Sequence, residues 1–285
     1  MKIMRKEHHY FQTSDDVKLH YIDKGTGQTL LIVPGFAQSV EQYEKQILGL
    51  CDRYRILAID MRGHGYSQKV NYGYKVARLS KDLFEFINLL KLHNIVLLGH
   101  SIGTAVIWTY LELFGFSKVA KLICMSHPAV MVSNPLWSSV DVEHYGPLAS
   151  SNSLMDVVNS FRHGRGDEYS NVMLKRMLSD NISALDRRWL LKSSLKLPRE
   201  QAADLMYNCF HLDWRDLLPR IMIPTLIVAG RAGLISVSSQ LWLHEQIKNS
   251  KLVIFEEEEG GKHFMFYENP NKFNQVVDEF IQSNK

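Results

Sequence analysis

The sequence predicts an α/β protein: a mostly parallel, twisted sheet flanked by helices, with a helical cap inserted into the chain. Short apolar runs of about four to six residues recur without polar alternation, which is typical of strands covered on both faces. Segments with apolar residues at helical spacing separate most of these runs. Between about residues 128 and 220 the alternation stops, and the chain becomes more polar and helical in pattern.

The first part of the predicted sheet differs from the rest. The segment YFQTSDDVKLHYID consists of two strand-like runs on either side of Ser14-Asp15-Asp16. Polar residues of this type favour a tight turn. We therefore expect an antiparallel hairpin at one edge of the sheet.

The remaining strands are predicted from six apolar runs, which are TLLIVPG, YRILAIDMRG, NIVLLGH, KLICMSH, PTLIVAG and KLVIFEE. Helices are predicted where apolar residues share one face, and these faces lie within residues 43–50, 83–90, 107–114 and 273–281. Strands that alternate with helices predict parallel pairing with helical crossovers.

Three segments follow from this pattern. Residues 1–127 are the first part of the core, residues 128–220 are the cap, and residues 221–285 are the second part of the core. Ligands of open α/β sheets bind outside the carboxyl ends of the strands, where the cap segment leaves the sheet. That position favours a lid over the alternative, a set of extra packing helices.

Composition excludes several classes of protein. The 285 residues carry a net charge of only +3, with basic and acidic residues interleaved, which predicts no nucleic-acid partner. No apolar run approaches the ~20 residues of a membrane span, and no apolar region follows the basic start to make a secretory signal. The three cysteines have no metal-site or disulfide spacing, so we expect buried thiols, no metal and a cytoplasmic location.

One motif carries chemistry. Gly99-His100-Ser101-Ile102-Gly103 has the pattern G-x-S-x-G, and a buried strand leads into it while an amphipathic helix leads out. This setting lifts the serine hydroxyl clear of the backbone and places the helix N-terminus behind it. We expect the His100 side chain to point away from the substrate.

With this motif the chain resembles the α/β-hydrolase superfamily, in its serine-nucleophile, esterase- or lactonase-like branch with a cap. VPGFAQS is similar to the loop after the third strand, AIDMRGHGYS to a fold-organising segment, and EEEEGGKHFMFYENP to the stretch that carries the base. The resemblance implies Ser101 as nucleophile and His263 as base. It also implies an oxyanion hole made by the backbone N–H groups of Ile102 and of Phe36 or its neighbour Ala37.

The activity implied is hydrolysis of a small-molecule carboxylic ester or lactone through an acyl-enzyme, with no cofactor. His127, directly after the sixth strand, and Trp137, in the cap, are candidate substrate contacts. Phe161, Trp189 and Trp214 are further cap aromatics, for which core packing is the alternative. Three other functions remain open: a non-catalytic ligand-binding relative, a carbon–carbon bond hydrolase, and cofactor-free oxygen chemistry on the same fold. The last of these would need a His–acid pair but not the serine.

Catalytic triads of this type combine a serine, a histidine and an acid that orients the histidine. This sequence lacks the acid at its usual position. The family places it after the seventh strand, and there the sequence AGRAG puts Gly233. Four accounts are open: a substitute carboxylate such as one of Glu256 to Glu259, a Ser–His dyad, a non-catalytic relative, or a substitution introduced at this position. Asp213 and Asp216 are expected to brace the cap junction instead. An intact Ser101 and His263 favour a hydrolase whose activity is weakened.

Overall fold

The computed structural model describes residues 7–283 and contains one eight-stranded sheet. Its strands are β1 (His8–Gln12), β2 (Lys18–Lys24), β3 (Thr29–Val33), β4 (Arg55–Ile59), β5 (Ile95–His100), β6 (Val119–Met125), β7 (Thr225–Gly230) and β8 (Ser250–Phe255). Their spatial order is β1-β2-β4-β3-β5-β6-β7-β8. All pairs from β4 to β8 are parallel, so the predicted fold class is confirmed.

The N-terminal hairpin lies at one edge of the sheet. β1 pairs antiparallel with β2, and β2 pairs antiparallel with β4. In the turn between β1 and β2, the Thr13 N–H donates to the Val17 carbonyl, and Asp16 has a φ of 63°. Aspartate tolerates this left-handed backbone better than most residues, as the turn requires.

Eleven α-helices accompany the sheet within the described residues. Those of the core are α1 (Glu44–Leu50), α2 (Val76–Leu89), α3 (Ile102–Phe114), α9 (Val237–Gln246), α10 (Met265–Glu268) and α11 (Pro270–Gln282). Between β6 and β7 lie α4 (Ser139–Tyr145), α5 (Ser151–Arg162), α6 (Gly166–Met177), α7 (Ala184–Ser194) and α8 (Arg199–Phe210). These five helices occupy the segment predicted as the cap, whose limits at residues 128 and 220 remain a prediction.

The parallel strands are buried on both faces. On β3, Leu31 and Val33 belong to the apolar cluster beneath α2 and α3, whereas Leu30 and Ile32 belong to the cluster beneath α1 and α11. Successive strand residues point to opposite faces, so a strand covered twice needs apolar residues throughout. This explains the uninterrupted apolar runs in the sequence.

The segment after β4 organises the loops around it. The carboxylate of Asp60 is fully buried and accepts hydrogen bonds from the backbone N–H groups of Val40, at 2.8 Å, and Tyr66, at 2.9 Å. It also lies 2.7 Å from the ring nitrogen Nδ1 of His20. A buried carboxylate with this many partners fixes the positions of three chain segments at once.

The cysteines are free thiols, but they are not all buried as predicted. Cys124 and Cys209 lie in the core, whereas Cys51 is partly exposed at the end of α1. The charged residues Asp52 and Arg53, which follow Cys51 directly and are exposed, are the local signal of this exposure. Within residues 7–283, no helix combines the length and apolar character that crossing a membrane requires.

Candidate active site

Ser101 stands in a strained turn between β5 and α3. Its backbone has φ 52° and ψ −125°, a conformation that non-glycine residues rarely adopt. The Ser101 N–H donates to the Met125 carbonyl across 2.8 Å, which ties the turn to β6. Such strain persists only where surrounding structure enforces it, and it is commonest at functional sites.

The two glycines of the motif are required by close approach of backbone. A Cβ at Gly103 would lie 2.1 Å from the Val33 carbonyl oxygen, and one at Gly99 would lie 2.7 Å from the Thr104 backbone. Side-chain carbons do not come this close to other atoms. The spacing G-x-S-x-G therefore reflects a turn pressed between β3 and α3.

The loop after β3 lies beside this turn. Phe36, Ala37 and Gln38 line the same cavity as Ser101 and Ile102. Ala37 has a φ of 56°, which bends the loop around the cavity. As the first residue of α3, Ile102 has a backbone N–H without a partner inside the helix, so it is available to a ligand.

His263 lies in the loop between β8 and α10 and is 4 % exposed. Its backbone N–H donates to the carbonyl of Met177 at the end of α6, 3.0 Å away. Its own carbonyl accepts a hydrogen bond from Nε2 of His100 at 2.9 Å. The histidine backbone is thus held from the cap segment on one side and from the sheet on the other.

The imidazole of His263 is neutral and lacks a carboxylate partner. Burial lowers its pKa to about 4, and no charged group contributes to the shift. Its Nδ1 atom is buried without a hydrogen-bond partner in residues 7–283. In a Ser–His–acid triad this nitrogen donates to the acid.

Gly233 lies in the loop that follows β7, next to the loop that carries His263. A Cβ built at Gly233 would lie 3.3 Å from the Gly230 carbonyl oxygen and 3.5 Å from that of Lys262, the neighbour of His263. The φ of Gly233 is not in the left-handed region, so a residue with a side chain is compatible with the backbone. The position suits an acid, but it holds none.

The acidic run before His263 does not replace the acid. Glu256 accepts two hydrogen bonds from Arg231, at 2.8 and 2.9 Å, and Glu259 pairs with Lys272. No carboxylate in residues 7–283 bonds to the imidazole of His263. The account with a substitute carboxylate from this run has no support in the geometry.

Asp213 and Asp216 lie far along the chain from the base and are engaged elsewhere. Asp213 bonds to Arg215 at 2.6 to 3.0 Å, and Asp216 bonds to Arg220 at 3.2 Å. Asp213 also forms an isolated β-bridge with Val130, where the cap segment leaves the sheet. The bridge from Asp213 fits the expected bracing role, whereas the bond from Asp216 to Arg220 joins residues of one segment.

One cavity contains both Ser101 and His263, and it encloses about 880 Å³ of empty space including its open mouth. No Asp, Glu, Lys or Arg side chain lines it. Its apolar wall is formed by Phe36, Ile102, Met131, Leu148, Phe161, Met173, Leu174, Met177, Leu190, Met206, Phe210, Leu234, Ile235 and Phe264.

The two candidate substrate contacts have different positions. His127 lines the cavity, where its ring lies 5.5 Å from the rings of Trp108 and Trp214. Burial, with His263 nearby, lowers its pKa to about 3, and neither ring nitrogen has a partner within residues 7–283. Trp137 lines a separate cleft and packs on Tyr145, so the structure does not bring it to the cavity.

The other cap aromatics divide in the same way. Phe161 lines the cavity. Trp189 stacks on Tyr267 with ring centroids 6.0 Å apart, and Trp214 donates to the hydroxyl of Thr109 at 3.0 Å. Core packing therefore accounts for the two tryptophans.

Sequence reasoning missed several residues around the site. His100 does not line the cavity, and it bonds to Gln38 and to the His263 carbonyl. Met177 both lines the cavity and accepts the His263 N–H. Neither contact has a local signal in the sequence, since each joins segments far apart along the chain. No cluster of three or more potential metal ligands occurs in the part of the chain that the structure describes.

The chain is similar in sequence to a family model and to proteins of known sequence. The family model described as the alpha/beta hydrolase fold matches residues 28–149. A putative non-heme chloroperoxidase from Synechocystis is 29% identical over 279 residues, which are 95% of this chain and 97% of the relative.

Two solved structures are similar over almost their whole length. An esterase from Exiguobacterium antarcticum has a TM-score of 0.87 and 25% identity, covering 96% of this chain and 99% of its own. A bromoperoxidase from Bacillus anthracis has a TM-score of 0.88 and 21% identity, covering 97% and 100%.

Proposed function

Because the chain belongs to the α/β-hydrolase superfamily, we propose that it is a serine hydrolase of carboxylic esters or lactones. The observation that carries the proposal is that Ser101, held in a strained turn, and the buried His263 line one cavity. One of the similar structures is an esterase, which supports the same reaction class. The helices of residues 128–220 act as the cap that encloses the substrate.

The chemistry is acyl transfer. His263, neutral because of its low pKa, takes the Ser101 hydroxyl proton as Oγ attacks the substrate carbonyl. The backbone N–H groups of Phe36 and Ile102 stabilise the oxyanion. The carbon–oxygen bond to the leaving group breaks, the alcohol receives the proton from His263, and water then hydrolyses the acyl-enzyme in the same way.

We propose that the base works as a Ser–His dyad. Loss of the acid from such a triad costs roughly 10⁴ in kcat, or about 5 to 6 kcal/mol in the barrier. Some orientation survives, because the backbone of His263 is bonded on both sides to Met177 and His100. The expected enzyme is slow, and its turnover depends on Ser101.

The cavity also favours a class of substrate. Its wall is mostly apolar and contains no Asp, Glu, Lys or Arg side chain. Moving a charged group into such a site costs far more than moving a neutral one. A neutral ester with an apolar acyl group is therefore the expected ligand, and His127 remains the candidate for a polar contact to it.

A fluorophosphonate probe tests the nucleophile on the unmodified protein. We expect labelling at Ser101, slow hydrolysis of p-nitrophenyl esters or of a lactone, and loss of both in Ser101→Ala. Two of the similar proteins are named as peroxidases. Bromination with bromide and peroxide is therefore also measured for the unmodified protein and for Ser101→Ala. Turnover that persists without the Ser101 hydroxyl would contradict the proposal.

The second candidate is a protein that binds a ligand without turnover. The absence of a carboxylate at Gly233 and the unpartnered Nδ1 of His263 favour it. It predicts saturable binding of apolar ligands, no labelling of Ser101, and no hydrolysis after Gly233→Asp. Labelling of Ser101 in the unmodified protein and hydrolysis by Gly233→Asp together separate the two candidates.

A further inference from the structure

His100 connects the two loops that border the reacting atoms. It is the last residue of β5, adjacent to Ser101 and fully buried. Its Nδ1 lies 2.9 Å from Oε1 of Gln38, in the loop after β3, and its Nε2 lies 2.9 Å from the His263 carbonyl oxygen. One imidazole thus spans the proposed oxyanion loop and the proposed base loop.

The amide of Gln38 has a fixed orientation. Its Oε1 accepts the Gly35 N–H at 2.7 Å and the Tyr43 hydroxyl at 2.8 Å. A flipped amide would turn its NH₂ group toward the Gly35 N–H, donor against donor. Nδ1 of His100 therefore faces an acceptor, and Nε2 faces a second acceptor.

A neutral imidazole has a single N–H and satisfies only one of these acceptors. Burial, with His263 and His127 nearby, holds the pKa of His100 well below its ordinary value, so the neutral ring predominates. Gln38 Oε1 already accepts from two other donors. No other hydrogen bond reaches the His263 carbonyl within residues 7–283.

We propose that His100 is a positioning residue whose proton resides on Nε2 and holds the base loop through the His263 carbonyl. This role rests on the proposed hydrolase function, in which His263 takes the Ser101 proton. With Gly233 in place of an acid, the orientation of His263 depends on its backbone contacts. The contact to the cap through Met177 is one of them, and the contact to His100 is the other.

Two substitutions separate the contacts of His100. Gln places its amide nitrogen near the position of Nε2, whereas Asn places its amide nitrogen near the position of Nδ1 and cannot reach His263. We expect His100→Gln to keep kcat within about threefold. We expect His100→Asn to lower kcat about tenfold, the effect of one hydrogen bond, with KM within about twofold. Equal losses in the two variants would overturn the proposal.

A second measurement does not depend on turnover. Nitrogen-15 NMR of the histidine rings in the unmodified protein reports which nitrogen of His100 carries hydrogen. We expect the Nε2–H form, and an Nδ1–H ring would overturn the proposal. If Ser101 shows no activity while Nε2 is protonated, the proposed hydrolase function fails and the structural role of His100 stands.

Discussion

The backbone N–H of His263 donates to the carbonyl of Met177 across 3.0 Å, which attaches the proposed base to the last residue of α6. Met177 also lines the cavity. The position of the proposed base therefore depends on the cap segment, and a ligand that contacts Met177 in the cavity is expected to affect it.

Glu268 is the side chain that fastens this junction. Its carboxylate accepts the Ser179 N–H at 3.1 and 3.2 Å and also bonds to the Ser179 hydroxyl. We expect Glu268→Leu to lower the free energy of unfolding by about 1–3 kcal/mol and to raise KM, because the end of α6 loses its anchor. Denaturant unfolding and steady-state kinetics measure the two effects.

Glu268→Gln is the matched control. It keeps one oxygen acceptor for Ser179, so the loss of stability is expected to be smaller. If Glu268→Leu and Glu268→Gln lower the free energy of unfolding equally, and neither changes hydrogen exchange in residues 177–183, Glu268 does not anchor the end of α6.

The buried histidines predict a dependence of stability on pH. Burial lowers the pKa of His64 and His263 to about 4 and of His127 to about 3, and it lowers that of His100 well below its usual value. In the unfolded chain these histidines have a pKa near 6.5, so they bind protons at a higher pH than they do in the folded protein. Their contribution to stability is therefore complete above pH 6.5 and is lost as pH falls toward 4.

Each of these groups contributes about 1.4 kcal/mol per pH unit to the slope near pH 5. His127→Phe is expected to reduce that slope by about one proton, whatever its effect on absolute stability. Urea unfolding at a series of pH values gives the slope. An unchanged slope would show that His127 is protonated in the folded protein.

Gly103 and Gly49 are two helical glycines with opposite surroundings. A Cβ at Gly103 would lie 2.1 Å from the Val33 carbonyl oxygen, whereas at Gly49 it meets the end of the Asn274 side chain. We expect Gly103→Ala to cost more than 2 kcal/mol and to abolish labelling of Ser101, because backbone must move. Gly49→Ala is expected to cost less than 1 kcal/mol, since the gain in helix propensity offsets the displaced amide. Similar losses in the two variants would contradict the packing described for the turn.

The uncharged cavity predicts discrimination between substrates of similar size. The p-nitrophenyl ester of butyrate and the p-nitrophenyl half-ester of succinate differ chiefly by a carboxylate. We expect kcat/KM to be at least about 100-fold higher for the neutral ester, equivalent to roughly 3 kcal/mol. Equal values would mean that the acyl group does not enter this cavity.

Local patterns account for the strands, the main helices and the strained serine. The apolar run before Gly99 and the helical face after Gly103 predict the turn because each is a property of neighbouring residues. The bonds from His100 to Gln38 and to the His263 loop depend on tertiary approach, which leaves no local mark. Trp137 illustrates the same limit, because an aromatic residue in a helical segment has one appearance whether it faces a ligand or Tyr145.

The absence of an acid predicts a pH profile as well as a low rate. With its pKa near 4, His263 stays a neutral base down to mildly acidic pH in the unmodified protein. A carboxylate at position 233 would stabilise the imidazolium and raise that pKa. We therefore expect Gly233→Asp to move the acidic limb of kcat/KM upward by a pH unit or more.

The most direct test of the central claim, that Ser101 and His263 form a triad site complete except for its acid, is kcat/KM of Gly233→Asp on a neutral ester. The predicted result is a rise of at least a hundredfold and up to about 10⁴-fold, a smaller rise in Gly233→Asn, and no activity in Ser101→Ala/Gly233→Asp. The Cβ contact of 3.3 Å at this position needs only a small shift of the loop. A Gly233→Asp protein that folds and shows no rise would contradict the claim.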